Sequence, residues 1–325
     1  MIWAAVLSRT AAAQTMRFSE WLEARPVSTY LASPLVPAGR PSIVGVVNIT
    51  EDSFSDGGRY LAAEDALAHA RRLRAAGADV IELGPAASNP DAVRVTAADQ
   101  RRRLAPVIEQ LTADGVPVSV DSFLPDIQRF ATARGVAYLN DIRGFPDPTL
   151  YDELAAASCR LVVMHSVQRD GPATKVATDP AAVWAGIGSF FTDRLAALQA
   201  AGIGPERLII DPGLGYFLGS NPEPSLAALA GIRHLKARFG LPVLVSPSRK
   251  SFLRTLTGRG IADSGPATLA AELHAAWQGV DYIRTHDVSA LSDALTILDA
   301  IAGRTCRRLP GGPTGEDRAD RSERS

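Results

Sequence analysis

Residues 116–141 read VPVSVDSFLPDIQRFATARGVAYLND, and this stretch decides the fold. A short β-branched run, Val116–Val120, stops at Asp121; a segment with helical spacing of apolar residues, Asp126–Arg134, follows; a second short run, Ala137–Asn140, comes next. Two strands separated by a helical crossover pair in parallel, because only antiparallel neighbours can be joined by a tight hairpin. The unit recurs along the chain. Strands are predicted at Ile43–Ile49, Val80–Leu83, Val116–Val120, Ala137–Asn140, Leu161–Met164, Leu208–Ile210, Val243–Val245 and Tyr282–Arg284. Helices are predicted at Ala62–Ala76, Ala97–Ala113, Asp126–Arg134, Thr149–Ala157, Pro180–Ala201, Glu223–Phe239, Ala267–Trp277 and Leu291–Ala302. Eight such pairs predict an α/β fold, a closed (β/α)8 TIM barrel in a single domain. No G-x-G-x-x-G follows the first strand, which speaks against an open dinucleotide-binding sheet.

Around this core, residues 1–40 read as an extension rich in Ala, Ser and Pro with one short helix around Phe18–Ala24, and Met16 is an alternative start. Residues 41–303 form the barrel domain, and residues 304–325, charged and carrying Pro310-Gly311-Gly312-Pro313, read as a disordered tail. The opening Met1–Leu7 lacks a basic flank and Arg9 cuts its apolar run short, so no export signal is expected. No run approaches the roughly 20 apolar residues of a membrane span. Hydrophobic residues at 46% and charged residues at 21% suit a folded protein with a large core. A net charge of −1 gives no general attraction to nucleic acid or anionic membrane, so any positive site is local. Cys159 and Cys306 lack metal-ligand spacing and suggest no disulfide framework, which fits a reducing, cytoplasmic compartment.

In a parallel barrel the chemistry sits at the C-terminal ends of the strands. In order, those ends carry Asn48, Gly84 with Ser88-Asn89 beyond, Asp121, Asn140-Asp141, Met164-His165, Asp211, Ser248-Arg249-Lys250-Ser251, and Arg284 with His286. Asp121, Asn140 and Asp211 would converge as two carboxylates and an amide, a set that suits the guanidine-like edge of an aminopyrimidinone. Each of them alone would more simply cap a turn or helix. Ser248–Ser251 at a helix start, with Lys250 and the nearby Arg284-Thr285-His286, makes an anion clamp. Arg249 reads as an exterior salt-bridge residue, and Lys250 could alternatively be a Schiff-base lysine. The polar loop Thr50–Gly58 reads as a lid over the mouth. His69, His234 and His274 fall in predicted helices as packing or surface residues, and no histidine pair has metal-ligand spacing.

These segments resemble the dihydropteroate synthases over about residues 43–302. The matching motifs are Val47–Gly58, Val120-Asp121-Ser122, Leu139–Arg143, Val163-Met164-His165, Ile210–Gly215, Ser248–Ser251 and Ile283–Asp287. The resemblance implies a TIM-barrel transferase joining a pterin methyl pyrophosphate to 4-aminobenzoate, with Asp121, Asn140, Met164, Asp211, Lys250 and Arg284 at the pterin. It further implies Asn48 at a magnesium ion (Mg2+), and Arg284 with His286 at the pyrophosphate. Phe54, Ser88, Pro90, Tyr216 and Ser248 would attend the aminobenzoate. Small-molecule substrates and a homodimer are implied; nucleic-acid and membrane partners are not.

Where most of that family carries Gly-Glu-Ser-Thr-Arg-Pro after the second strand, this chain has Gly84-Pro85-Ala86-Ala87-Ser88-Asn89-Pro90. With Gly144–Pro148, His165-Ser166 and Tyr216-Phe217-Leu218, that segment resembles the sulfonamide-insensitive branch. The altered loop leaves a noncatalytic pterin-binding paralogue as an alternative. A corrinoid-linked pterin methyltransferase and a Lys250 aldolase are weaker alternatives, the former for want of a corrinoid-binding domain.

Overall fold

The β-branched runs pair side by side in parallel. In the computed structural model, which describes residues 39–49, 59–86, 95–168, 173 and 175–305, they are β1 (Ser42–Asn48), β2 (Val80–Gly84), β3 (Val118–Asp121), β4 (Tyr138–Asp141), β5 (Arg160–Met164), β6 (Leu208–Asp211), β7 (Leu244–Val245) and β8 (Tyr282–Thr285). Their order in the sheet is β6-β5-β4-β3-β2-β1-β8-β7. The remaining seam is bridged by Ile210 and Val243, with the Ile210 N–H donating to the Pro242 carbonyl at 3.0 Å. The sheet therefore closes on itself and leaves no long edge for another chain to pair with.

Helices cover the outside: α1 (Arg59–Ala75), α2 (Ala97–Ala113), α3 (Pro125–Thr132), α4 (Tyr151–Ala156), α5 (Pro180–Ala200), α6 (Glu223–Ala230), α7 (Ile232–Phe239), α8 (Ser251–Thr257), α9 (Gly265–Trp277) and α10 (Val288–Thr305). Their starts follow local chemistry. Thr96 accepts the Asp99 N–H at 3.1 Å before α2. Asp179 accepts the Ala181 and Ala182 N–H groups before Pro180 opens α5. Among the described residues no helix is long and apolar enough to cross a membrane.

Alternation along the strands sorts the side chains into two cores. One face packs under the helices in a continuous cluster that includes Ile43, Ile81, Val120, Leu139, Leu161 and Ile283. The other face points into the barrel, where Val44, Val80, Val162, Ile209, Leu244 and Tyr282 form a separate apolar layer joined by Tyr138. Tyr138 and Tyr282 meet edge-on at 6.1 Å, and Arg160 Nη1 donates to the Tyr282 hydroxyl at 2.7 Å.

Element positions agree with the sequence reading to within a few residues, with three differences. The helix expected over residues 223–239 is two helices, broken at Gly231. A Cβ at Gly231 would fall 2.0 Å from the Trp184 ring of α5, so packing against α5 sets the break. The helix expected from Thr149 begins as a 3-10 turn, Pro148–Leu150, capped by Asp147 accepting the Thr149 N–H at 3.0 Å. The seventh unit carries an additional short helix, α8, ahead of α9. The extension 1–38, the loop 50–58, residues 87–94 and the tail from 306, with Cys306, lie outside the described residues; Cys159 is buried and unpaired.

Replacing Gly231 by Ala should destabilise the protein by roughly 2 kcal/mol, because the new methyl meets the indole of Trp184. Urea unfolding of Gly231→Ala alone and with Trp184→Ala checks this. The second change is expected to recover part of the loss, and strictly additive losses would contradict the clash.

Candidate active site

Two residues beyond the apolar layer the strands place their next inward side chains, and there the barrel interior turns largely polar, with Val46 of β1 and Met164 of β5 as the apolar exceptions. Val80 leads to Glu82, Tyr138 to Asn140, Val162 to Met164, Ile209 to Asp211, Leu244 to Ser246 and Tyr282 to Arg284; β3 contributes Ser119 and Asp121. Arg284 links them. Its Nε donates to Glu82 Oε1, its Nη2 to Asp121 Oδ2 at 3.0 Å, and its Nη1 to the Ser246 hydroxyl at 3.5 Å. Glu82 Oε2 also accepts from Ser119 Oγ at 3.0 Å and from Asn140 Nδ2 at 3.1 Å. Glu82 is fully buried, and Asn140 keeps its Oδ1 buried without a partner. Asp211 accepts the Gly213 N–H on Oδ1 at 2.7 Å.

Electrostatics follow from this crowding. Burial raises the Asp121 carboxyl, with the Glu82 charge adding to the rise and Arg284 opposing it. Burial pushes Asp211 up to about 6 against the pull of the Gly213 N–H and of Lys250. Lys250, half-buried at the N-cap of α8, is lowered to about 8 by desolvation and then by the Arg284 charge, with Asp211, Asp121 and Glu82 opposing. Although burial disfavours its charge, Arg284 is raised by Glu82 and Asp121, so it stays cationic. The cluster combines a fixed cation with carboxylates and a lysine that titrate near neutrality, the kind of perturbed set found where ligands bind.

Asp121, Asn140, Asp211, Lys250 and Arg284, singled out from the sequence, thus share one cluster. Met164 lies at its rim in an apolar patch with Ile142, Ala173 and Phe217, against which Phe123 and Tyr216 pack. The Lys250 ammonium stands 4.9 Å from the centre of the Phe217 ring. Ser248 is buried and bonded to His286, its Oγ 2.9 Å from Nδ1. Asn48 ends β1 with its side chain exposed. Phe54, Ser88 and Pro90 lie outside the described residues.

Other strand-end groups belong to the scaffold. Asp141 points away from Asn140 and accepts from Gln128 Nε2 at 2.9 Å and from the Arg143 and Phe145 N–H groups. His165 places Nδ1 3.2 Å from the Pro212 carbonyl and packs on Phe190. Arg249 is exposed, but the exterior salt bridge expected of it is absent among the described residues; its backbone instead takes a left-handed φ of 61° beside Lys250. His234 and His274 pack against Trp184 and Trp277, as their helical positions suggested.

Sequence reasoning missed Glu82, and it named Ser251 only as a member of the run Ser248–Ser251, without a role of its own. Glu82 sits inside a strand rather than beyond its end, and its signal was a charge two residues after Val80 in an otherwise apolar run. The Ser251 hydroxyl opens α8, is buried and has no partner, which leaves it available to a ligand. Among the described residues no group of three or more His, Cys, Asp or Glu could hold a metal ion.

Comparisons with known proteins agree with this geometry. Residues 44–286 match the family described as "Pterin binding enzyme". Dihydropteroate synthase type-2 from Escherichia coli is 58% identical over 259 residues, covering 80% of this chain and 95% of the relative. The chain belongs to the dihydropteroate synthase family. Type-3 of Escherichia coli is 50% identical, over 80% of this chain and 98% of the relative. The dihydropteroate synthase of Escherichia coli K12 is 33% identical, over 80% and 91%. The solved structure of the Xanthomonas albilineans enzyme with 4-aminobenzoic acid superposes with a TM-score of 0.73 at 38% identity, covering 81% of this chain and 93% of that one.

A buried carboxylate whose pKa rises on folding holds its proton better in the folded than in the unfolded state. Its stabilising share is complete below its unfolded value near 3.8 and is lost as pH rises through about 6. At pH 8 the ionised Asp211 should therefore cost about 3 kcal/mol. Asp211→Asn is expected to be more stable than the parent at pH 8, by up to about 3 kcal/mol, and equal to it at pH 4. Denaturant unfolding at the two pH values reads this; an advantage that does not shrink on acidification would contradict it.

Proposed function

We propose that this chain condenses 6-hydroxymethyl-7,8-dihydropterin pyrophosphate with 4-aminobenzoate, giving 7,8-dihydropteroate and pyrophosphate in folate biosynthesis. The observation that carries the reading is the polar ring inside the barrel, in which Asn140 Oδ1 is buried and unpartnered. A flat aminopyrimidinone can donate to that oxygen and to the Asp121 and Asp211 carboxylates, while Lys250 donates to its acceptor edge.

The reaction breaks the bond from the pterin methylene to the pyrophosphate oxygen and forms one to the arylamine nitrogen. Bond breaking comes first, because the arylamine is a weak nucleophile. Asp211, ionised above about 6, stabilises the pterin cation. Arg284 and His286 receive the departing anion, with Arg284 also in reach of the pterin face. Asn48 is the residue assigned to a magnesium ion, and its exposed amide oxygen fits the preference of that ion for a few oxygen ligands beside substrate phosphates. The chemistry that ion supplies when bound is neutralisation of charge on the pyrophosphate oxygens. The aminobenzoate side is assigned to Tyr216, to Phe54, Ser88 and Pro90, and to the start of α8, where the Ser251 hydroxyl, rather than that of Ser248 already bonded to His286, can meet the carboxylate.

Reduced sulfonamide sensitivity belongs to the same proposal. Its supports are the loop from Gly84 to Pro90, without the usual Glu and Arg, and the Phe217 ring set against Lys250. A pocket rearranged by these residues would accept a carboxylate and reject the bulkier sulfonyl group. A cytoplasmic homodimer is proposed as well. Exposed Leu226, Leu256, Ile261, Ile297 and Ile301 lie on or between the outer helices α6 to α10, apolar surface that a second copy would cover.

Pyrophosphate release should require both substrates, persist with a sulfonamide present and fall by at least about 100-fold in Lys250→Ala. Pterin binding without any release would instead support a noncatalytic paralogue. Pterin affinity should peak between pH 6 and 8, rising as Asp211 ionises near 6 and falling as Lys250 loses its proton near 8. Calorimetric titration across pH 5 to 9 reads the curve, and a flat profile would remove these two groups from pterin recognition.

A further inference from the structure

We infer that Ser248 serves the leaving group through His286: its hydroxyl fixes the imidazole tautomer that presents Nε2–H to the pyrophosphate. The inference deepens the synthase reading and rests on it for the identity of the anion. Ser248 lies just past β7, with 4% of its surface exposed, and His286 lies just past β8. Two contacts join them. The His286 backbone N–H donates to Ser248 Oγ at 3.3 Å, and the same Oγ lies 2.9 Å from His286 Nδ1.

The hydrogen inventory decides the direction of the second contact. A serine hydroxyl has one hydrogen and two lone pairs. One lone pair takes the backbone N–H. If Nδ1 also donated, the hydroxyl hydrogen would need another acceptor, and Ser248 Oγ has no further partner among the described residues. Donation from Ser248 to Nδ1 leaves no buried hydrogen unmatched. The single ring proton then sits on Nε2, at the opposite edge of the imidazole.

The ring is neutral, which gives the tautomer its importance. Desolvation, and then the charges of Arg284, Arg249 and Lys250, hold its pKa at about 3. A neutral imidazole offers one N–H and one lone pair. With the proton on Nε2 the ring donates to an incoming phosphate oxygen; with the proton on Nδ1 it would turn a lone pair toward that oxygen and repel it. Ser248 is thus a positioning residue, and its spent hydroxyl hydrogen is not available to an aminobenzoate carboxylate.

The test compares the full-length parent with Ser248→Ala and Ser248→Thr, the latter keeping the hydroxyl. Side-chain nitrogen NMR of the ligand-free proteins should find the His286 proton on Nε2 in the parent and in Ser248→Thr, and a mixture of tautomers in Ser248→Ala. Product inhibition by inorganic pyrophosphate should weaken about ten-fold in Ser248→Ala, with the KM for 4-aminobenzoate unchanged, and be restored in Ser248→Thr. A parent ring protonated on Nδ1 would overturn the inference. So would a Ser248→Ala variant that loses aminobenzoate affinity while keeping pyrophosphate affinity. The tautomer is read without turnover, so an inactive parent would count against the synthase reading and leave the hydrogen-bond assignment to stand or fall by the spectrum.

Discussion

The structure turns on one cation that cannot be neutralised. A guanidinium keeps its proton under all ordinary conditions, so placing Arg284 inside the barrel obliges the neighbouring strands to supply charge and acceptors. Glu82 from β2 and Asp121 from β3 answer it directly, and Asn140 and Ser119 complete the shell through Glu82. Three strands, β2, β3 and β4, none of them a sequence neighbour of β8, are thereby tied to one side chain. The remaining members of the cluster, Asp211 and Lys250, are shifted chiefly by the dryness of the site, and the charge of Arg284 adds to the lowering of Lys250 while opposing the rise of Asp211.

Such an interior is costly unless the surroundings hold it rigid. Backbone conformation shows how that is done. Phe145, a bulky residue in the left-handed region at φ 58°, is fixed on both sides: its N–H donates to Asp141 at 3.1 Å, and its carbonyl accepts from the Tyr151 hydroxyl at 3.0 Å and from Arg194. Gly213, at φ 76°, lets the chain turn beside the Asp211 carboxylate, where a Cβ would lie 2.4 Å from the His165 carbonyl. Both residues stand at the mouth, where strand ends become loops; Phe145 is held by groups outside the ligand cluster, whereas the Gly213 N–H is held by the Asp211 carboxylate itself.

The barrel was legible because short β-branched runs, two to seven residues long in the folded strands, alternate with helical segments and leave little choice of topology. The cluster was legible in most of its parts, since Asp121, Asn140, Asp211 and Arg284 all close strands. Glu82 escaped because it lies within β2, where only the two-residue rhythm from Val80 distinguishes an inward charge from a misplaced one. The break at Gly231 depends on Trp184, forty-seven positions away, and the helical pattern of residues 223–239 runs through it without a signal. The partner of Ser248 is 38 residues distant, so its hydroxyl looked equally suited to a ligand. What local pattern could not supply in each case was a contact made by the finished fold.

The apolar layer beneath the cluster bears on the order of traffic. Val44, Val80, Val162, Ile209, Leu244 and the crossed rings of Tyr138 and Tyr282 fill the barrel below the polar ring, and Arg160 closes over Tyr282. Among the described residues that end of the interior is filled, so a ligand of the polar ring would come from the opposite end. A molecule seated against Asn140 and Asp211 would have to arrive before anything lying above it and would leave only after that second molecule had gone, so the plugged end of the barrel, on the side away from the chemistry, would set the sequence of arrivals and departures.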